Sequence, residues 1–455
     1  MALIELDLTA QPDEPVPSSP PPAHLYRIPG LILAAVLVLA GGGAAPAMPT
    51  LWRYLGSVPA GSGPGSLFRL AGDRAYTVGE AGAGREVTSW SLSEPPRKEW
   101  STRYELPGAD PEKIGYGGSS VRPAGDVVLV SDGPMTTVLD RHSGQARWST
   151  SAPVSLMAGG RLGVIEEPRF RAGTVYDQEA GEPGQLFFTA DGEPHVEPPT
   201  RTDIRGVDLY TGAAVWTLSV PGSVILDPSS GDAPTVLLLS SGGLKRVDGR
   251  TGQVLRQAAP AKVDGRAPAS GESVGGVMML YYYNANGYIT HEAAYSTGTL
   301  ARLWGRDVPE ILVQQSFCAG VICSISETGL EALDPATGRP AWRVEPNHDL
   351  IRRGGYVLEQ QSNTNVPVRL VDPPTGTARV DLAGWRAVVD GPADGPVLLR
   401  RGLERGASAL GVVDPERDAV QPLGVTGAPI SDCVSGTGHV ACRTDESLRI
   451  WAYRG

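Results

Sequence analysis

An eleven-residue pattern returns along most of this chain. It reads ALDPATGRPAW at 332–342, GVDLYTGAAVW at 206–216 and VLDRHSGQARW at 138–148. RVDGRTGQVLR (246–256) and LVDPPTGTARV (370–380) keep the Asp and the Thr-Gly but lose the Trp, and AYSTGTLARLW (294–304) keeps the Ala, Thr and Trp. The unit ending at Trp100 and the one near Asp414 are more eroded. Self-similarity at a fixed period is the mark of a repeat architecture. Each copy has a mechanical reading. A strand ends at the Asp, the Asp and Thr side chains bond to the turn backbone, and the Gly takes a positive φ. The next strand starts at once and carries the Trp. Each motif is therefore an outer β-hairpin, and a Trp there packs between neighbouring sheets, burying about 150–250 Å². This assigns structural roles to Asp140, Gly144 and Trp148; to Asp208, Gly212 and Trp216; to Asp248 and Gly252; to Trp304; to Asp334, Gly338 and Trp342; and to Asp372 and Gly376.

The Trp-equivalent positions are 100, 148, 216, 256, 304, 342, 380 and 422, with 38 to 48 residues between most of them. Four short strands with their turns need roughly 40 residues. Further strands are visible between motifs: TVLLLSS (235–241), and VMMLYYYNANGYITHEAAYS, which turns at Asn286-Gly287. The 58 Gly and 40 Pro suit many strands joined by turns. Trp52 begins a strand, WRYLGSVP, like the one that follows each motif, but no motif precedes it. The chain ends on LRIWAYRG, a strand without its next partner. Pairing these two would complete one blade from both chain ends and leave no open edge.

The pattern resembles the tryptophan-docking motif of the quinoprotein-like (PQQ-like) β-propeller repeat, Ala-x-Asp-x-x-x-Gly-x-x-x-Trp. The resemblance covers roughly 51–455, with the 332–342 element matching fully. It implies an all-β propeller, commonly of eight blades. Eight is the count expected here. Nine is the alternative, since eight motifs and a split terminal unit are present. BamB-type envelope scaffolds share this architecture, but no lipoprotein cysteine follows the apolar segment of this chain, so that role does not transfer. Other relatives are pyrroloquinoline quinone dehydrogenases, which hold the quinone and Ca²⁺ over the axis, and the alcohol dehydrogenases among them have adjacent cysteines. No adjacent Cys pair occurs here, and no cofactor-binding or catalytic residue transfers.

Residues 1–27 are rich in Pro, carry Glu5, Asp7, Asp13 and Glu14, and are expected to be disordered and cytoplasmic. No charge then occurs between Arg27 and Arg53. Residues 28–49 are read as one transmembrane signal anchor, since about 20 apolar helical residues span a bilayer core. Ala45-Pro46-Ala47 leaves open cleavage near Ala47 and secretion. The domain from 51 to 455 is placed outside the cell.

The four cysteines support that placement. Cys318 and Cys323, and Cys433 and Cys442, are two local pairs, each bracketing a Gly-containing turn. They are read as structural disulfides of an oxidising compartment, each contributing roughly 2–3 kcal/mol at best. A net charge of −11 gives no basic footprint for nucleic acid. There is no Gly-Lys-Ser/Thr phosphate loop, His-Glu-x-x-His or Gly-x-Ser-x-Gly. His24, His142, His195, His291, His348 and His439 are scattered. Neighbours in the run Tyr281-Tyr282-Tyr283 point to opposite sheet faces. No enzyme activity, cofactor or metal is expected.

The longest motif spacing contains an acidic, Gly/Pro-rich segment, 166–200, centred on Leu186-Phe187-Phe188. Long loops in compact domains often carry function, although a surface insertion can also simply be tolerated. The resulting expectation is a membrane-anchored envelope scaffold that binds a protein partner or small ligand, with a quinone-dependent oxidoreductase as the alternative.

Overall fold

The computed structural model describes residues 52–454, apart from 64–65, 83, 106–118, 178, 180, 182–184, 230–232, 312–317, 319, 327–328 and 446. The tail and anchor segments at 1–27 and 28–49 lie outside the described residues. Among those described, no helix is long and apolar enough to cross a membrane.

The described residues form nine antiparallel sheets in chain order, together with one two-stranded ribbon. The first blade runs Leu67–Ala71, Arg74–Ala81, Gly84–Ser91 and Arg97–Glu105, and the second runs Ser119–Ala124, Val127–Asp132, Met135–Asp140 and Ala146–Thr150. The third (Val154–Leu156, Leu162–Arg169, Arg201–Asp208, Ala214–Pro221) carries the long insertion between its second and third strands. The fourth spans 224–258 and the fifth 270–311. The sixth has three described strands, Ile322–Ser326, Gly329–Leu333 and Pro340–Arg343. The seventh spans 348–381 and the eighth 387–426. The ninth is Cys433–Gly436, His439–Arg443 and Ser447–Tyr453, completed by Trp52–Pro59 from the other end of the chain.

That last pairing runs antiparallel from Trp52 opposite Tyr453 to Pro59 opposite Ser447. It corrects the count from eight blades to nine. All eight motif-bearing units, the eroded ones included, are full sheets or parts of one, and the split terminal unit is a sheet in its own right.

Burial follows from position within the blade. The second and third strands lie between two neighbouring blades, so both their faces are covered: Val127–Asp132 is buried throughout, and Thr235–Ser240 nearly so. Outer strands face solvent on one side, and Ala214–Pro221 buries only Trp216 and Val220. The core is divided into nine clusters, each joining two successive sheets. One of them packs Val434, Ala441 and Ile450 of the ninth blade against Phe68 and Ala75 of the first. The ring is thereby closed, without a terminal face left to cover.

Candidate functional site

The repeat motif acts across blades. Asp208 Oδ1 accepts the Tyr210 and Thr211 amides at 3.1 and 2.9 Å and the Thr211 hydroxyl at 3.0 Å. Asp140, Asp248 and Asp334 make the same three bonds in their own turns. These bonds hold the carboxyls of Asp208, Asp248 and Asp334 below the usual carboxylate range against the opposing effect of desolvation. Asp140 is lowered chiefly by the Arg147 guanidinium. At Asp372 the Thr375 hydroxyl bond, 2.8 Å, remains.

The Trp of one blade docks on the turn of the next. Trp148 Nε1 donates to Leu209 O at 2.9 Å, and a Cβ on Gly212 would lie 2.7 Å from its ring. Trp100 docks in the same way on Gly144, Trp216 on Gly252, Trp304 on Gly338 and Trp342 on Gly376. In each case the indole donates to the carbonyl of the residue after the Asp position: Arg141, Gly249, Pro335 and Pro373. Glycine is required at these turns both for φ near +70° and for the close approach of the indole.

At two junctions both members of the pair are replaced: Val380 and Asp418, with φ of 50°, stand at the Trp and Gly positions between the seventh and eighth blades, and the fourth and fifth blades have another such pair. The fourth blade has Arg256 where the Trp would stand. The fifth-blade turn, Ser296 to Leu300, has Leu300 at the glycine position, with φ of 58°. Its amide still donates to Ser296 O at 2.8 Å, as Gly252 N does to Asp248 O. Leu300 is buried in the cluster between these two blades. At this junction, which has no indole, the leucine side chain packs within that cluster.

The structure joins Cys318 to Cys323 and Cys433 to Cys442. The second bridge spans residues directly opposite in register. Tyr281 and Tyr282 belong to different inter-blade clusters, as strand alternation requires. Between the fifth and sixth blades lies an ionic chain absent from the sequence reading. Glu292 receives Arg306 and the Ser324 hydroxyl, and Arg306 also reaches Glu331, which Arg343 meets from its own blade. Glu292 and Glu331 are buried. Only tertiary proximity reveals such a set.

The insertion is a folded element. Phe187–Phe188 pairs with Pro194–His195, and Val175 bridges to His195. Thr174 and His195 Nδ1 share a hydrogen bond of 2.9 Å, and the buried imidazole stacks on Phe170 with ring centroids 3.9 Å apart. Its neck closes between Arg169 and Arg201, which are paired in register. A cavity of about 430 Å³ separates Phe188 and Thr189 from Arg122 and Ser131 of the second blade. Val175 and Val196 stand 49 and 48 % exposed. The remaining described histidines do not converge. His142 lies on the opposite end of the ring, at the turns of the second and third blades, while His291 meets Asp307 and His348 meets Glu359. Among the described residues no three His, Cys, Asp or Glu side chains are grouped to hold a metal ion.

Fold and junction geometry together define a closed β-propeller of tryptophan-docked blades. Residues 77–344 match the PQQ-type repeat family described as outer membrane protein assembly factor BamB, and the chain belongs to that family. Among solved structures, BamB from Moraxella catarrhalis is similar at 12% identity, covering 89% of this chain and 98% of its own, with a TM-score of 0.40. Sqt1 from Saccharomyces cerevisiae is also 12% identical, over 84% of this chain and 97% of its own, with a TM-score of 0.40. The WD40 domain of Toxoplasma gondii coronin is 6% identical, over 89% and 86%, with a TM-score of 0.32. No curated protein matches the sequence.

Proposed function

We propose that this protein is a binding scaffold of the cell envelope, held to the membrane through residues 28–49, with its ring outside the cell, and that it captures a protein partner on the end bearing the insertion. One observation carries the reading: the insertion is internally built around buried His195 and still turns Val175 and Val196 outward. An apolar pair presented on an ordered arm suits a docking contact. Two disulfides suit an oxidising compartment. The family description, an assembly factor, agrees with a non-enzymatic role.

The test places a photo-crosslinking amino acid at position 175 or 196 of the full-length membrane protein, with a control position on the opposite end such as 142. A discrete crosslinked partner from 175 and 196, absent from 142, supports the proposal. Illumination that gives no adduct, or the same adducts from all three sites, contradicts it. The neck geometry supplies a second arm. Replacing 170–200 by Asn-Gly between paired Arg169 and Arg201 should keep the blade and abolish capture.

A further inference from the structure

Where the first strands of the first, second, eighth and ninth blades meet, a cavity of about 390 Å³ opens. In an up-and-down blade the start of the first strand and the connection between second and third strands lie at the same end, so this mouth opens on the insertion-bearing end. Its charged lining is Arg69, Arg400, Arg443, Asp390 and Asp432.

Two of the three arginines are held in place, and among the described residues none is paired with an acid. Arg400 donates one N–H to Ile430 O at 2.9 Å. Arg443 donates one to Ser66 O at 3.4 Å and lies over the Phe68 ring, 5.4 Å from its centroid. Arg69 is exposed. Among the described residues none of the three has a carboxylate within ion-pair distance, although two carboxylates line the same space. The Cys433–Cys442 bridge braces the wall, with Asp432 preceding one cysteine and Arg443 following the other. Arg443 N also donates to Asp432 O at 2.9 Å. The strand carrying Arg443 is therefore fixed before any ligand arrives.

We propose that this cavity is a carboxylate-binding subsite for an acidic residue in an extended peptide segment of the partner. The inference rests on the scaffold reading and names the chemistry of its partner. Three guanidinium groups against two carboxylates leave a surplus of one positive charge, on a chain whose net charge is −11. One carboxylate satisfies that surplus, and guanidinium forks match its geometry. A multiply charged phosphate would meet Asp390 and Asp432 as like charges. Both acids are exposed in the lining and can accept the amide N–H groups that flank a glutamate or aspartate in a peptide.

The experiment uses the intact disulfide-bonded protein and a fluorescent, end-capped octapeptide with one central glutamate, compared with its glutamine counterpart by anisotropy at low salt. The glutamate peptide should bind about tenfold more tightly, the scale of a hydrogen bond to a charged group. Arg69→Ala and Arg400→Gln should each erase most of that preference. Among the described residues Arg69 is exposed and has no hydrogen bond or ion pair, so its variant keeps the test clean. Equal binding of the two peptides, or a preference unchanged in both variants, overturns the proposal. So does inorganic phosphate that displaces the peptide more effectively than acetate does, which would make this a small-anion site. Crosslinks from 175 and 196 that persist while the glutamate preference is absent would sink the subsite alone. Loss of those crosslinks in the wild-type protein would sink the scaffold reading itself.

Discussion

Trp52 lies nearly flat against Trp451, ring centroids 5.2 Å apart and planes 15° from parallel, so the two ends of the chain meet as a stacked pair in one sheet. The contact seals the junction of the ninth blade with the eighth, where a Cβ on Gly424 would lie 2.6 Å from the Trp52 ring. Leu55 and Val58 of the same strand face the opposite junction, against the first blade. Leu55→Ala is expected to cost about 2–5 kcal/mol, as deletion of a buried leucine does, read as a fall in the urea midpoint. Truncation of 52–59 should open the ring and expose two inter-blade clusters to a hydrophobic dye.

The docking junctions make a second, directional prediction. Gly212→Ala adds a Cβ where φ is +73° and the Trp148 ring is 2.7 Å away, so destabilisation should exceed about 1 kcal/mol. Trp148→Phe keeps an aromatic ring but loses the bond to Leu209 O and should cost about 1–3 kcal/mol. Thermal unfolding of the two variants checks both.

The junction of the fourth and fifth blades predicts coupling. Arg256→Trp should crowd Leu300, and Leu300→Gly should leave a void between the fourth and fifth blades. The double variant restores the arrangement seen at four other Trp–Gly junctions outside the Trp148–Gly212 pair. A double-mutant cycle should show the pair recovering about 1 kcal/mol or more relative to additivity. Strict additivity would contradict the reciprocal packing.

Arg306 is the shared cation of Glu292 and Glu331. Arg306→Met leaves two buried carboxylates short of a partner, and removal of one member of a buried ionic set typically costs about 3–5 kcal/mol. The loss should vary little with salt, because the groups are shielded from solvent. Chemical denaturation at two ionic strengths measures this.

Glu166 sits at the root of the insertion, and desolvation raises its carboxyl from the ordinary 4.5 to about 7. The folded state therefore binds this proton more tightly than the unfolded chain. The contribution is fully present below pH 4.5 and is lost as pH rises to about 7. Relative to Glu166→Gln, the wild-type protein should lose on the order of 3 kcal/mol across that window, at 1.36 kcal/mol per pKa unit. Stability curves of the two proteins that run parallel from pH 4.5 to 7.5 would contradict it.

The sequence made the blades legible because Asp, Thr-Gly and Trp do one mechanical job at one spacing. Ring closure was legible as well, since Trp52 begins a strand without a motif in front of it. The blade count was harder. Arg256 and Leu300 depart from the pattern separately in the sequence and make sense only as partners across a junction. The cavity was not legible at all. Arg443 and Ser66 touch across 377 residues, and its lining comes from four blades. No local pattern announces such a convergence. The ionic chain through Arg306 was hidden for the same reason.

The central claim is a nine-bladed ring closed by both chain ends, and register gives its most direct test. Ser57 lies opposite Arg449 in the joining sheet. In a Ser57→Cys/Arg449→Cys variant, mild oxidation and peptide mass spectrometry should find one intramolecular bridge between these positions in the monomer, beside the two native disulfides. Absence of that bridge under conditions that preserve the native pairs, or its appearance only between molecules, would contradict the closed ring.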